Sequence, residues 1–176
     1  MRKLVVYIAC SLDGYIAKPN DDLSFLDAVE REGEDYGYAA FKESIDTVII
    51  GRRTYDWVMK NLKTFHHPDK TTYVLTRSVK SNTDHITFYK GDLKELVEEL
   101  KSKQGKDIFC DGGAQIVNQL LKEGLVDKII VSIIPVVLGG GTSLFQEGIP
   151  ERELKLIDSI TYESGLVQLH YDIVAK

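Results

Sequence analysis

The stretch Ile108-Phe109-Cys110-Asp111-Gly112-Gly113-Ala114-Gln115-Ile116 combines an apolar strand, a glycine pair and the start of an amphipathic helix. Because glycine has no Cβ, a ligand can approach the backbone of such a turn closely. The first N–H groups of the following helix have no partner within the helix, and the helix dipole places positive charge at the same end. These features favour a phosphate-binding turn. The alternative is a tight strand-to-helix connection that binds nothing.

Two other predicted strand endings carry polar residues suited to phosphate. Gly51-Arg52-Arg53-Thr54 follows the apolar run 47–50, and Thr76-Arg77-Ser78 follows the run 72–75. The first turn suits a pyrophosphate, and the second suits a phosphate monoester such as the 2′-phosphate of NADP. Each turn alone also fits an ordinary polar strand exit. In a parallel sheet, however, all three turns would share the edge at which ligands bind.

Strand-like and helix-like segments alternate along most of the chain, and two strands then finish it. Residues 4–10 are apolar on both faces, as in a central strand covered by helices. Residues 167–174 alternate apolar and polar side chains and predict an antiparallel hairpin with 154–162. We therefore predict one α/β domain over residues 1–176, with a largely parallel mixed sheet. Further strands are predicted at 47–50, 72–75, 86–89, about 108–111 and 128–134. Helices are predicted at about 52–61, 92–104 and 114–123, and helical segments from 24 to about 44 with an interruption near Gly33.

Composition excludes several classes of protein. The chain has 176 residues, of which 43% are hydrophobic and 28% charged, as in a globular domain. Its net charge of −5 argues against a nucleic-acid binder, which is usually basic. No apolar run approaches the ~20 residues that cross a bilayer, so we expect no membrane association and a cytoplasmic location. Cys10 and Cys110 lie in apolar runs and are expected to be buried, reduced thiols.

Two further features allow more than one interpretation. His66-His67-Pro68-Asp69 resembles a metal-ligand cluster, but adjacent histidines are expected to point apart, and no partner lies at zinc-like spacing. We therefore expect no metal site. Trp57 could pack in the core or form a platform under a flat heterocycle, and core packing is favoured because buried aromatic residues mostly serve the core.

The motifs, taken in order, resemble dihydrofolate reductase-like proteins. The resemblance rests on Ser11-Leu12-Asp13-Gly14-Tyr15-Ile16-Ala17, Ile50-Gly51-Arg52-Arg53-Thr54-Tyr55, Leu75-Thr76-Arg77-Ser78 and Asp111-Gly112-Gly113-Ala114-Gln115. Residues 120–128 continue it, and residues 132–141 with Leu144-Phe145 are most similar to the C-terminal reductase domain of riboflavin-biosynthesis proteins, the RibD C-terminal domain family. The similarity spans essentially the whole chain.

This resemblance implies a three-layer dihydrofolate reductase-like fold, with helices on both faces of the sheet, that binds NADPH. The cofactor would supply the hydride. The resemblance also implies its contacts: Ala9 and Ile16 at the nicotinamide; Gly51, Arg52, Arg53 and Thr54 at the pyrophosphate; Thr76, Arg77 and Ser78 at the 2′-phosphate; and Gly112, Gly113, Ala114, Gln115 and Ile116 along the nicotinamide–pyrophosphate side.

The chain also departs from related proteins. The carboxylate that holds the pterin in dihydrofolate reductases would fall near Gly37, with Asp35 two residues earlier, and the usual tryptophan–proline pair is missing. Two isolated cysteines cannot supply the zinc deaminase pattern that accompanies many riboflavin reductases. Asp35 is a candidate for substrate binding or proton relay, and Asp13 for ordering a loop that excludes water.

The combined prediction is a stand-alone NADPH-dependent reductase of a small pterin- or pyrimidine-type substrate. The resemblance also implies a homodimer. Three alternatives stay open at this stage: a dihydrofolate reductase proper, an NADPH-binding protein without turnover, and an α/β domain that binds phosphate without preferring NADPH.

Overall fold

The computed structural model describes residues 1–62, 64–78 and 80–174, and within these ranges the chain forms ten β-strands and four α-helices. The strands are β1 Leu4–Ser11, β2 Tyr15–Ala17, β3 Ile45–Gly51, β4 Thr71–Leu75, β5 Ile86–Tyr89, β6 Asp107–Gly112, β7 Lys128–Ile134, β8 Thr142–Ser143, β9 Leu154–Thr161 and β10 Val167–Ile173. The helices are α1 Tyr38–Ser44, α2 Arg52–Leu62, α3 Leu93–Ser102 and α4 Ala114–Lys122.

Eight of these strands form one sheet in the order β5-β4-β3-β6-β1-β7-β10-β9. The first six run parallel, whereas β10 pairs antiparallel with both β7 and β9. This confirms the prediction of a largely parallel mixed sheet with an antiparallel C-terminal hairpin. Because the parallel strands share one direction, the carboxyl ends of β3, β4 and β6 meet at a single edge of the sheet.

Both faces of the sheet are covered, which gives the three predicted layers. Successive side chains of a strand point to opposite faces. On β1, Leu4 and Val6 pack in the cluster that contains the apolar sides of α3 and α4, whereas Val5 packs with Phe41 of α1 on the other face. Phe109 of β6 also belongs to the second face, where its ring meets Phe41 edge-on at 5.0 Å.

The helical segments predicted between 24 and 44 are interrupted around Gly33 as expected, but the interruption is long. The structure has a short 3-10 helix at Ser24–Val29, then a loop, and α1 begins only at Tyr38. Tyr36, with a φ of 55°, and Gly37, with a φ of 79°, adopt left-handed conformations that cannot continue a right-handed helix.

The start of α3 agrees with the sequence prediction. The carboxylate of Asp92 accepts a hydrogen bond of 3.0 Å from the backbone N–H of Glu95 and caps the helix. Across the described part of the chain, no helix is long and apolar enough to span a membrane.

Candidate functional site

A cleft of about 1580 Å³ lies along the sheet edge at which β3, β4 and β6 end. This volume exceeds the roughly 300–1,000 Å³ of an ordinary small-molecule pocket, so the cleft has room for an extended ligand and a second molecule beside it. Every residue predicted to contact the cofactor lines it: Ala9, Ile16, Gly51, Arg52, Arg53, Thr54, Thr76, Arg77, Ser78, Gly112, Gly113, Ala114, Gln115 and Ile116.

The turn at Gly112 and Gly113 forms part of the cleft wall, and side chains at these positions would take up space in the cleft. Gly112 has a φ of +89°, and the peptide that joins it to Gly113 is cis. A Cβ added to Gly113 would lie 3.0 Å from Thr54 Oγ1, and one added to Gly51 would lie 3.1 Å from Ile116 Cγ1. None of the side chains in the described ranges caps the start of α4. The first N–H groups of this helix therefore remain available to an anion.

The arginines at the start of α2 already have carboxylate partners, which the sequence analysis did not anticipate. Arg52 Nε lies 2.7 Å from Asp56 Oδ2, one helical turn away. Arg53 contacts both carboxylate oxygens of Asp21, at 2.8 and 2.7 Å from Nη2. In contrast, Arg77 is exposed, and no ion pair joins it to another residue in the ranges that the structure describes. Arg77 is therefore the cleft arginine whose positive charge is least compensated.

The cleft lining also contains apolar and aromatic side chains. Ala9, Ile16 and Leu26 line it together with Tyr7 and Trp57. Trp57 is half-buried and belongs to none of the hydrophobic clusters formed by the described residues, so its position favours a platform over core packing.

The hydroxyl of Tyr7 is held in place by its neighbours. It donates to the carbonyl oxygen of Tyr36 at 2.9 Å and accepts from Nε2 of Gln168 at 2.9 Å. Burial raises the pKa of Tyr7 above its ordinary value, so the phenol stays protonated at neutral pH. Tyr7 therefore presents a fixed, neutral aromatic surface to the cleft.

Asp111 and two histidines form a cluster that the sequence analysis missed. His66 Nε2 lies 2.9 Å from Asp111 Oδ2, and His67 Nε2 lies 3.4 Å from the same oxygen. The expectation that the two histidines point in different directions is therefore wrong, and their carboxylate partner is one that zinc-like spacing does not indicate. Spacing along the chain could not reveal the partner, because Asp111 is 45 residues from His66 and only the pairing of the strands brings them together.

The charges of this cluster follow from its surroundings. Burial raises the pKa of Asp111, but the hydrogen bonds from His66 and His67 outweigh burial, and the net effect lowers this pKa. The His67 ring is fully buried, and this burial lowers the pKa of the imidazole. Asp111 is therefore an anion at neutral pH, and His67 is neutral. Asp111 and His66 both line the cleft.

The two candidate catalytic carboxylates lie outside the cleft lining. Asp13 accepts hydrogen bonds from Ser11 Oγ at 2.6 Å and from the backbone N–H groups of Leu138 and Gly139 at 3.0 and 2.7 Å. These bonds, led by the one from Ser11, lower the pKa of Asp13 to about 2. Asp13 thus ties the loop after β1 to the glycine-rich loop after β7.

Asp35, like Asp13, accepts hydrogen bonds from backbone N–H groups. Its carboxylate accepts from the backbone N–H groups of Gly37 at 2.9 Å and Ala39 at 3.0 Å, at the start of α1. The carboxylate is thus turned to the helix start, and the predicted catalytic roles of Asp13 and Asp35 stay predictions.

Both cysteines lie in the core. Cys10 and Cys110 are free and buried, as the sequence analysis expected. Burial raises the pKa of Cys10 and raises that of Cys110 to about 12. Because the thiolate is the reactive form, these residues are poor nucleophiles in the folded protein.

Comparison with known proteins identifies the relatives of this chain. The family model described as RibD C-terminal domain matches residues 2–168. The uncharacterized protein YwjB of Bacillus subtilis is 44% identical over 171 residues, which cover 97% of each chain. A crystal structure of a putative riboflavin biosynthesis protein from Shewanella is 30% identical, with a TM-score of 0.88 over 98% of this chain and 99% of that one.

A more distant structure shares the fold. The diaminohydroxyphosphoribosylaminopyrimidine deaminase/5-amino-6-(5-phosphoribosylamino)uracil reductase of Thermotoga maritima is 14% identical, with a TM-score of 0.73. The similarity covers 98% of the present chain and 57% of that protein.

Proposed function

The chain belongs to the RibD C-terminal domain family, and from this premise we propose that it is an NADPH-dependent reductase of a small pterin- or pyrimidine-type substrate. The observation that carries the proposal is the meeting of three phosphate-compatible turns along one wall of a cleft with room for two ligands. The name of the Thermotoga protein includes 5-amino-6-(5-phosphoribosylamino)uracil reductase, which supports a reduction of this type.

The residues of the cleft fit an extended dinucleotide. Gly51, Gly112 and Gly113 leave space that side chains would occupy, and the uncapped start of α4 offers N–H groups to a phosphate. When bound, the cofactor would supply a hydride for a C=N or C=O carbon of the substrate. The half-buried Trp57 offers a flat surface on which a heterocycle can stack.

Preference for NADPH over NADH would depend on the turn after β4. The uncompensated guanidinium of Arg77 lies beside the hydroxyls of Thr76 and Ser78, which are 3.2 Å apart. A 2′-phosphate placed there would receive a charge-assisted hydrogen bond and two hydroxyl contacts. NADH lacks this phosphate, so Arg77 would add nothing to its binding affinity.

The loop after β1 would close the nicotinamide end. Asp13 holds this loop to the loop after β7, and Leu144 donates a backbone hydrogen bond of 2.8 Å to the carbonyl oxygen of Gly14. By fixing both loops, Asp13 would act as a positioning residue that keeps water from the hydride path. A cytoplasmic location and a homodimer belong to the same proposal.

Calorimetry with NADPH and NADH tests the cofactor assignment. We expect NADPH to bind more tightly than NADH. Arg77→Ala should weaken the binding of NADPH about tenfold, the low end for the loss of a charge-assisted hydrogen bond, and should leave the binding of NADH unchanged. Arg31→Ala removes an exposed arginine outside the cleft and is the matched control. Equal effects of Arg77→Ala on both nucleotides would contradict the assignment of the 2′-phosphate.

Turnover is tested separately by following NADPH oxidation. We expect oxidation with 5-amino-6-(5-phosphoribosylamino)uracil, or with an unphosphorylated pyrimidine or pterin, in preference to dihydrofolate. Binding of NADPH without oxidation by any of these compounds would favour the non-catalytic alternative.

A further inference from the structure

The two oxygens of the Asp111 carboxylate lie in different environments. Oδ2 faces both imidazoles, whose Nε2 atoms lie 2.9 and 3.4 Å away. Oδ1 receives no hydrogen bond from any residue in the described ranges, although Asp111 lines the cleft and its side chain is 18% exposed. A buried anion ordinarily uses both oxygens, so this arrangement leaves one strong acceptor available to a ligand.

The histidine tautomers follow from the other ring nitrogens. Nδ1 of His66 and Nδ1 of His67 are both buried, and neither has a hydrogen-bond partner among the described residues. A proton on Nδ1 would leave a buried donor without an acceptor, at a cost of about 1–3 kcal/mol. We therefore assign the ring proton to Nε2 in both residues. His66 then donates its N–H to Asp111 Oδ2 at 2.9 Å, and Nε2 of His67 lies 3.4 Å from the same oxygen.

This assignment also weighs against a metal ion at the three side chains. One nitrogen of each histidine and a carboxylate oxygen of Asp111 lie within 4.8 Å of one another, which is close to a ligand set. A metal on both Nε2 atoms would move each ring proton to Nδ1. Metal-bound histidines almost always donate that N–H to an acceptor, and the described residues supply none.

One ammonium group and two phenols lie next to the cluster. The ammonium group of Lys42 donates to the backbone oxygen of His66 at 3.2 Å. The hydroxyl of Tyr38 lies 3.5 Å from His67 Nε2, and the Tyr7 ring is 5.6 Å from that of Tyr38. Burial raises the pKa of both phenols, so these groups are neutral near pH 7. Lys42 is not among the described residues that line the cleft, so Asp111 presents an anionic carboxylate with an open acceptor there.

We propose that His66 and His67 are positioning residues that hold Asp111 so that its free oxygen binds an N–H edge of the substrate. This inference rests on the proposed reductase function and specifies its substrate class. The favoured substrate is a nitrogen heterocycle that offers an amino group or a ring N–H to the carboxylate. A carbonyl or phosphate oxygen at the same place would be repelled by the anion.

Binding of a minimal heterocycle tests this inference. The probe is 2,4-diaminopyrimidine, followed by NMR in the presence of saturating NADPH, and 2,4-dimethylpyrimidine serves as the analogue of similar shape without N–H donors. We expect the diamino compound to bind at least tenfold more tightly, and Asp111→Asn to remove most of that difference. The exposed Asp158→Asn is the matched control.

The role of the histidines has its own readout. His66→Phe removes one N–H donor, so the ¹³C resonance of the Asp111 carboxylate should titrate at higher pH, and diaminopyrimidine should bind several-fold more weakly. His85→Gln, a change at an exposed histidine, should alter neither. An unchanged Asp111 titration in His66→Phe would overturn the positioning role.

The outcomes separate the two proposals. Equal affinity for the diamino and dimethyl compounds, or full affinity in Asp111→Asn, would overturn the inference while NADPH binding leaves the reductase assignment standing. Failure of the wild-type protein to bind NADPH would instead remove the reductase assignment. If Asp111→Asn does not fold, the comparison of the two pyrimidines and the His66→Phe titration still decide the matter.

Discussion

Replacing Asp21 by asparagine should increase the affinity for NADPH. Arg53 is bound by both oxygens of Asp21, so it must leave this partner before it can bind a phosphate. The Arg53 side chain is 80% exposed and that of Asp21 is 35% exposed, which makes this a surface ion pair. Exposed pairs contribute about 0.2–1 kcal/mol. Removing the competing carboxylate of Asp21 should therefore tighten the binding of NADPH by about 1.4- to 5-fold.

A double-mutant cycle measures this effect. NADPH dissociation constants are determined calorimetrically at low ionic strength for the wild-type protein, Asp21→Asn, Arg53→Ala and the double variant. Asp21→Asn should tighten binding in the wild-type background and have little effect when Arg53 is absent. The gain should also shrink as salt is added, because exposed charges are screened.

Two results would refute this reasoning. An equal gain in the Arg53→Ala background would show that Asp21 acts through the general field of the cleft. An unchanged or weaker affinity in Asp21→Asn would show that Arg53 does not bind the phosphate or that Asp21 itself supports the cofactor.

Two further predictions concern the site and its stability. Gly113→Ala would place a Cβ 3.0 Å from Thr54 Oγ1. This change should lower the affinity for NADPH, and it should lower the free energy of unfolding in urea by about 1–3 kcal/mol. Gly140→Ala, whose Cβ would meet nothing within 4 Å, should change neither quantity. Because the pKa of His67 is lower in the folded protein than its ordinary 6.5, the unfolded chain binds more protons below that pH. Stability should therefore fall as pH drops below about 6.5, and His67→Gln should flatten this dependence in urea titrations at pH 5 to 8; an unchanged slope would contradict it.

Local pattern was sufficient to predict the sheet. Lys128–Ile134 forms β7 with the predicted bounds, because a run of β-branched residues fits a buried strand and nothing nearby competes. Helix α3 begins where the sequence predicts it, since its cap, Asp92, contacts an N–H group only three residues away. The break near Gly33 was predictable from the glycine, but its extension to residue 37 was not, because Tyr36 and Gly37 adopt left-handed backbone conformations.

The site was predictable only where its residues lie beside a strand end. The three turns were found because each follows an apolar run directly, and in a parallel sheet the ends of such runs meet. Asp111 with His66, and Arg53 with Asp21, are separated by 45 and 32 residues, and no local spacing encodes these contacts. They depend on the pairing of β6 with β3 and on the path of the loop after β2.

The residues that line the cleft come from widely separated parts of the chain, and this determines how its ligands can be found. Its residues extend from Tyr7 to Gln146 and include the ends of β1, β3, β4 and β6, so the cleft exists only when these strands are assembled. Any ligand of the cleft therefore shifts the folding equilibrium of the whole sheet. At one hundred times its dissociation constant, a ligand adds about 2.7 kcal/mol to the free energy of unfolding. Melting temperature can thus reveal substrates among heterocycles before any reaction has been observed.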